Sequence, residues 1–214
     1  MGVVAAGARF WLGDDVLALA AGVGRGWCLG PAAPLTELYQ AGKLDWSRAV
    51  IDGLHRQARR GGPIPGPSPV DRGRPGSKHH VITDAHGIPL AITLIGGNWH
   101  DVTQLLPLLD AIPHIKGRTG RPHRPRHLSA DRGYDFDKYR RLLWKRGIQP
   151  VIARRGIPHG SGLGTVRYAV ERTNAWIHGF RRLRIRREIR HDVHEAFLEL
   201  ACCVITYRHV QAFC

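Results

Sequence analysis

Cysteine is scarce in this chain, which has only four cysteines among 214 residues. Cys28, Cys202, Cys203 and Cys214 lack the spacing of metal-ligand motifs, which argues against a cysteine-based zinc site. The adjacent pair at 202 and 203 is predicted to serve as small apolar residues inside a helix. So little cysteine is typical of a reducing cytoplasmic compartment.

A long uninterrupted apolar run is also missing. The most apolar stretch, from Phe10 to Gly24, is interrupted by Asp14 and Asp15. It falls short of the roughly 20 apolar residues that a membrane-spanning helix needs. We therefore predict neither a signal peptide nor a transmembrane helix.

Acidic residues are few. The chain has 17 Asp and Glu against 32 Lys and Arg, a formal net charge of +15. This excess favours a polyanionic partner, with nucleic acid as the first candidate. Two alternatives remain open at this point: a merely soluble basic protein, or an arginine-rich composition set by a high-GC genome. The charge by itself predicts no catalysis.

The composition predicts one globular domain with long irregular stretches. Hydrophobic residues make up 43% of the chain and charged residues 23%, while 26 glycines and 14 prolines interrupt regular structure. Residues 1–34 form an atypical leader rich in Ala and Gly. Its Gly22-Val-Gly24-Arg-Gly26 run lacks the third glycine of a dinucleotide-binding loop, so a low-complexity linker is the better interpretation. The ordered domain is predicted over 35–214.

Hydrophobic periodicity predicts alternating strands and helices, and so an α/β fold with a mixed sheet flanked by helices. The segments 56–77, 116–126 and 154–164 are predicted to be irregular basic loops. The predicted elements are a strand over 46–52, a hairpin from 79–84 and 90–95, a helix after Asp101, a strand over 127–130, a helix over 135–146, a strand over 148–153, and helices over 165–180 and 192–210.

Three acids stand out by their placement. Asp52 and Asp131 are each predicted to end a strand, and Glu171 lies on a helix that follows another strand. Two aspartates on neighbouring strands and one helical glutamate can converge at one sheet edge. Carboxylates are preferred ligands of Mg²⁺, and two divalent ions about 4 Å apart can activate a nucleophile and stabilise a leaving oxygen. The alternative is that each is an ordinary surface acid or helix cap.

At these acids the sequence resembles the DDE transposases of bacterial insertion sequences, in particular the IS-five family. The resemblance covers about residues 35 to 210, and several long motifs occur in the right order. The matching segments are Leu44–Asp52, Gly66–Arg72, Arg74–His80, His86–Leu90, Asp101–Pro113, Ala130–Asp135 and Val170–Trp176.

The resemblance implies a ribonuclease-H-like fold in which Asp52, Asp131 and Glu171 bind metal in that order. It implies metal-dependent DNA nicking and strand transfer at insertion-sequence ends, with two Mg²⁺ ions that Mn²⁺ can replace. The implied partners are the terminal inverted repeats, target DNA and further copies of the chain assembled on DNA, with no membrane. The implied location is the bacterial cytoplasm, at the nucleoid.

Related transposases carry a Tyr, Arg, Glu and basic-residue signature around the third acid. Arg167 occupies the arginine position, whereas Gly164 replaces the tyrosine and His178 replaces the basic residue. Basic residues near the acids are expected to hold DNA phosphates. The expected DNA-binding residues are Arg167, Lys78, Arg181, Arg182, Arg184, Arg186 and Arg187.

The thirteen histidines suggest a zinc site, but none shows strong ligand spacing. We interpret them mainly as turn, strand-end or DNA-facing residues, with His100 and Asn98 the best candidates near the active site. Asp101 is expected to cap a helix rather than bind metal.

Residues 1–34 do not resemble the helical region with which related full-length transposases recognise terminal repeats. Two explanations stay open: that region is supplied by frameshifting from an upstream frame, or it is lost. The alternative function is therefore a truncated, non-catalytic DNA-binding remnant or regulator of transposition. A general ribonuclease-H-like nuclease is a third, weaker interpretation.

Overall fold

The computed structural model describes residues 32–62, 66–115, 123–156 and 163–212. The Gly22–Gly26 run and much of two predicted loops lie outside these ranges. The strands are β1 (Arg48–Gln57), β2 (Gly66–Pro67), β3 (Pro75–Asp84), β4 (Pro89–Gly96), β5 (His127–Ala130) and β6 (Gln149–Ile152), and the helices are α1 (Ala32–Gln40), α2 (Leu105–Asp110), α3 (Asp137–Lys145), α4 (Leu163–Gly179) and α5 (His191–Gln211).

The strands form one mixed sheet in the order β4, β3, β1, β5, β6, with the short β2 also paired to β3. Strands β4, β3 and β1 are antiparallel to one another, whereas β1, β5 and β6 are parallel. Helices pack on the sheet. The predicted mixed sheet flanked by helices is confirmed.

Each face of the sheet carries its own apolar core, because successive side chains of a strand point to opposite faces. On β1, Ile51 belongs to the core beneath helices α1, α2 and α3. Its neighbour Val50 belongs to the core beneath helices α4 and α5. The alternation therefore directs Asp52 toward α4. Cys202 and Cys203 are buried free thiols in α5, as predicted.

The hairpin between β3 and β4 matches its prediction, and its turn fixes the position of α4. Asp84 accepts the backbone N–H groups of His86 and Ile88. Gly87 adopts φ 85°, and a Cβ there would lie 2.8 Å from the carbonyl oxygen of Ala169 in α4. This close approach of backbone to backbone needs glycine.

Three boundaries differ from the sequence predictions. Strand β1 does not end at Asp52 but continues to Gln57, because it stays paired with β3 along that whole length. The segment 56–77 is not wholly irregular, since it contains β2 and the first residues of β3. Helix α1 covers Ala32–Gln40 and so includes the last three residues of the predicted leader over 1–34; Pro34 and Leu35 are buried.

Candidate active site

Asp52 and Asp131 lie on neighbouring parallel strands. The register pairs Val50 of β1 with Ser129 of β5, and each aspartate lies two residues further along its chain. Asp131 directly follows β5, as predicted, and accepts the backbone N–H of Gly133 at 2.9 Å. The parallel pairing thus brings the two aspartates to the same level of the sheet.

Helix α4 places three side chains over Asp52. Asn174 donates from Nδ2 to Oδ2 of Asp52 at 3.1 Å. The Nη2 atom of Arg167 lies 3.8 Å from Oδ1 of Asp52 and 3.6 Å from Oε1 of Glu171. Arg167 therefore stands between the first and third acids. The Glu171 side chain is 55% exposed, whereas that of Asp52 is 14% exposed.

The carboxyl group of Asp52 is strongly perturbed. Burial raises its pKa to about 6; Arg167 opposes this rise, and Asp131 and Glu171 add to it. The other two acids thus act on Asp52 electrostatically, and one arginine offsets part of their charge. A desolvated acid beside like charges is typical of a functional site.

The donor set fits a hard divalent cation. Asp52, Asp131 and Glu171 offer only carboxylate oxygens, the ligands that Mg²⁺ prefers, and an added cation would relieve the repulsion that raises the pKa of Asp52. In the described ranges, no three acids, histidines or cysteines already converge as a ligand cluster. The three acids would hold metal after Arg167 moves from between Asp52 and Glu171.

The family described as Transposase DDE domain matches residues 44–206. The chain belongs to this family. It is 55% identical over 203 residues to a protein of Burkholderia cepacia named as a transposase for insertion sequence element IS402, covering 92% of this chain and 94% of that protein. The chain is therefore a DNA transposase catalytic domain.

Two solved structures share a similar arrangement. The catalytic core domain of BIV integrase has a TM-score of 0.43 and 14% identity, over 73% of this chain and 80% of its own. A chain of the simian T-cell lymphotropic virus intasome in complex with PP2A regulatory subunit B56 gamma has a TM-score of 0.42 and 17% identity. That match covers 64% of the transposase domain and 40% of the intasome chain.

A polar network lies beside the acids of the transposase domain. Lys78 donates to Oδ1 of Asp101 at 2.8 Å, and a Cβ on Gly133 would contact the carboxylates of both Asp101 and Asp131. His80 shares a 2.9 Å hydrogen bond with Tyr134, and its pKa is lowered to about 4 by burial. The network thus lies beside Asp131, with Gly133 between the carboxylates of Asp101 and Asp131.

Two sequence predictions fail at this network. His100, not Asp101, occupies the N-cap of the 3₁₀ turn at Asp101–Gln104, and the Asp101 carboxylate binds Lys78 instead. The Lys78 side chain is only 8% exposed and also donates to the carbonyl of Trp99. Lys78 is therefore an internal counterion and does not present its ammonium to DNA.

A second cluster contains three histidines on three elements. His79 of β3 lies between His194 of α5, at 3.1 Å, and His178 of α4, at 3.4 Å. His194 also hydrogen-bonds Glu188 at 2.8 Å. The interpretation of His79 and His80 as turn, strand-end or DNA-facing residues is wrong, because both are buried in the middle of β3.

The arginine-rich segment 181–187 lies at the end of β1. Ala58 pairs with Arg186 in a parallel bridge, and the backbone N–H of Arg186 donates to the carbonyl of Gln57. Gln57 is five residues beyond Asp52, about 16 Å along the strand. The segment is therefore further from the acids than the sequence suggested.

The arginines of this segment have different roles. Arg181, Arg182, Arg184 and Arg187 are exposed. Arg186 is fully buried and donates to the carbonyls of Glu188 and Ile189, so its prediction as a DNA-binding residue is wrong. The segment begins with a 3₁₀ turn over Arg181–Leu183, and Arg186 then pairs with Ala58 at the end of β1.

Sequence reasoning missed Asn174 and misplaced Asn98. Asn174 lies three residues after Glu171, so the helical period could have identified it as a neighbour of the same site. Asn98, the proposed neighbour of the acids, instead lies against Gly66 of β2. His100 is exposed, and the described residues show no contact between its ring and the three acids.

Within the described ranges, no helix is both long enough and apolar enough to cross a bilayer.

Proposed function

We propose that this transposase domain nicks DNA at insertion-sequence ends and transfers the strand, with Asp52, Asp131 and Glu171 as the catalytic acids that bind two divalent ions. The observation that carries the proposal is geometric: Asp52 and Asp131 each lie two residues beyond paired positions of neighbouring parallel strands, and Arg167 lies 3.8 Å from Asp52 and 3.6 Å from Glu171. Mg²⁺ is the proposed metal, and Mn²⁺ can substitute for it.

When bound, the ions supply a deprotonated oxygen nucleophile and stabilise charge on the leaving oxygen. The protein's part is to hold the carboxylates. Asn174 fixes one oxygen of Asp52, and the backbone N–H of Gly133 fixes one oxygen of Asp131. Arg167 is 38% exposed, and its guanidinium would be able to bind a phosphate of the substrate strand.

DNA is the proposed partner, both as terminal inverted repeats and as target. The support is the net charge of +15, the partly exposed Arg167 beside the acids, and the exposed arginines of the segment at the end of β1. The proposed DNA-binding residues are Arg167, Arg181, Arg182, Arg184 and Arg187.

The finer assignments are proposals as well. The quoted motifs support the proposed assignment to the IS-five family, with residues 35–214 as the proposed catalytic domain. Assembly as a homo-oligomer on DNA and a location at the bacterial nucleoid follow from that assignment. Size measurement of the protein with and without a DNA end would test the oligomer.

The decisive experiment compares Asp52→Asn, Asp131→Asn and Glu171→Gln with the wild type on one labelled DNA end, with Mg²⁺ or Mn²⁺. Each change should abolish nicking while leaving the fold intact, because each removes one anionic ligand. Glu199→Gln, which changes an exposed acid on α5, is the matched control. Retained nicking in any of the three would overturn the assignment, and wild-type binding without nicking would favour the DNA-binding remnant.

A further inference from the structure

A cavity of about 300 Å³ opens at the far end of β1. It lies between that strand, the turn at Ser68–Asp71 and the arginine-rich segment, and Arg56 and Arg184 both line it. The backbone bridge between Ala58 and Arg186 fixes the two walls relative to each other. The cavity is therefore a built feature of the fold rather than a gap between independent loops.

Arg56 is an unusual cation in this cavity. It is half-buried, and its Nε atom is buried without a hydrogen-bond partner in the part of the chain that the structure describes. Burial lowers its pKa. Its charge also contributes to lowering the pKa values of His178 and His79, two histidines whose pKa values are lowered mainly by burial. Removing a cation from water without an anionic partner costs free energy.

Arg184 brings a second positive charge to the same cavity. Its Nε donates to the carbonyl of His178 at 2.9 Å, which anchors the side chain at the end of α4. Within the described ranges neither Arg56 nor Arg184 forms an ion pair with a carboxylate, whereas Arg140, Arg146 and Arg182 all do.

One acid, Asp71, lines the cavity, and it already accepts a hydrogen bond from another lining residue. Asp71 accepts the side-chain amide of Gln57 at 2.7 Å. On the remaining wall, Ser68 and His55 offer polar atoms, with Ser68 Oγ 3.4 Å from Nδ1 of His55. Two arginines, a hydroxyl and an imidazole form the donor set of an anion site.

We propose that this cavity binds one phosphate group of the DNA backbone, with Arg56 and Arg184 as its charged ligands. Arg56 is four residues beyond Asp52 on the same face of β1, about 13 Å along the strand. That span corresponds to about four base steps of B-form DNA. The site would hold the strand a few phosphates from the point of cleavage. This inference rests on DNA being the substrate of the proposed function.

The test measures DNA binding in Ca²⁺, where cleavage is not scored. A series of DNA ends carries one neutral methylphosphonate at each successive position. Wild-type affinity should drop about tenfold at one position, as expected for loss of a charge-assisted contact. Arg56→Gln and Arg184→Gln should each weaken binding to unmodified DNA about tenfold and lose sensitivity at that same position. Arg141→Gln, which removes an exposed arginine on α3, is the charge-matched control and should keep the sensitivity.

Three results would overturn the proposal. One is full methylphosphonate sensitivity in both cavity variants when thermal unfolding shows that they are folded. Another is equal loss of affinity in Arg141→Gln. The last combines two observations: inorganic phosphate protects the wild type, but not Arg56→Gln, against thermal unfolding, and no position on the DNA is sensitive to methylphosphonate. That result would assign the cavity to free phosphate. Nicking by the Asp52, Asp131 and Glu171 variants is scored separately, so failure of the cavity and failure of the catalytic assignment are distinguishable.

Discussion

Asn174 donates a 3.1 Å hydrogen bond to Oδ2 of Asp52, which joins the helix of the third acid to the strand of the first. Residues that orient a metal ligand typically change metal affinity 10- to 100-fold when removed. Asn174→Ala should therefore raise the Mg²⁺ concentration for half-maximal nicking about tenfold or more. Titration of nicking rate against Mg²⁺ measures this.

Asn98→Ala is the matched control for that prediction, because Asn98 lies against Gly66 and not against the acids. It should leave the Mg²⁺ dependence unchanged. If Asn174→Ala lowered nicking equally at all Mg²⁺ concentrations, Asn174 would not act through Asp52.

Substitution of Arg167 should have opposite effects on metal affinity and on the rate of nicking. Its guanidinium lies 3.8 Å from Asp52 and 3.6 Å from Glu171, so Arg167→Gln should tighten metal binding by removing a competing cation. The same change should slow single-turnover nicking about tenfold or more, because a phosphate loses a charged partner. Calorimetric metal titration and a quenched nicking assay measure the two effects. Weaker metal binding in this variant would contradict the placement of Arg167 between the acids.

The buried histidine cluster predicts acid sensitivity of the fold. Burial first, and then the charge of Arg56, lowers the pKa of His178 from 6.5 to about 3. Between those values the unfolded chain binds the extra proton and the folded chain does not. The stability associated with neutral His178 is therefore fully present above pH 6.5 and is lost as the pH falls toward 3.

His178→Gln should remove this contribution. Between pH 6 and pH 4 the free energy of unfolding of the variant should fall less steeply than that of the wild type, by about 1.4 kcal/mol per pH unit. Urea unfolding at several pH values measures the slopes. His114→Gln changes an exposed histidine and should keep the wild-type slope; identical slopes for all three proteins would show that His178 is not a buried neutral group.

Adjacent arginines should respond differently to substitution. Arg186 is fully buried and donates to two backbone carbonyls, so Arg186→Met should lower the free energy of unfolding by about 2 kcal/mol or more. Arg187 is exposed, and Arg187→Gln should change stability by less than about 0.5 kcal/mol. Arg187→Gln should instead reduce the slope of log DNA affinity against log salt concentration by about one. Chemical unfolding and a salt titration of binding separate the two roles, and a stable Arg186→Met variant would contradict the first.

Much of the fold followed from local pattern. The β3–β4 hairpin, β5, β6 and the two C-terminal helices were predicted close to their observed bounds, because apolar periodicity reports which face of each element is buried. Strand β1 was predicted too short. Its second half is polar in sequence, and only pairing with β3 makes it a strand.

The sequence by itself singled out the three acids as candidates, and it gave the excess of positive charge and the resemblance that points to transposases. Tertiary structure alone decided that Arg167 stands between Asp52 and Glu171, that Asn174 holds Asp52, and that Lys78 and Arg186 are internal. The physical reason is that these properties depend on burial and on contacts between residues far apart in the chain. Whether an arginine or lysine can contact DNA or is buried inside the protein depends on the residues packed around it, and the adjacent residues in the sequence do not reveal that packing.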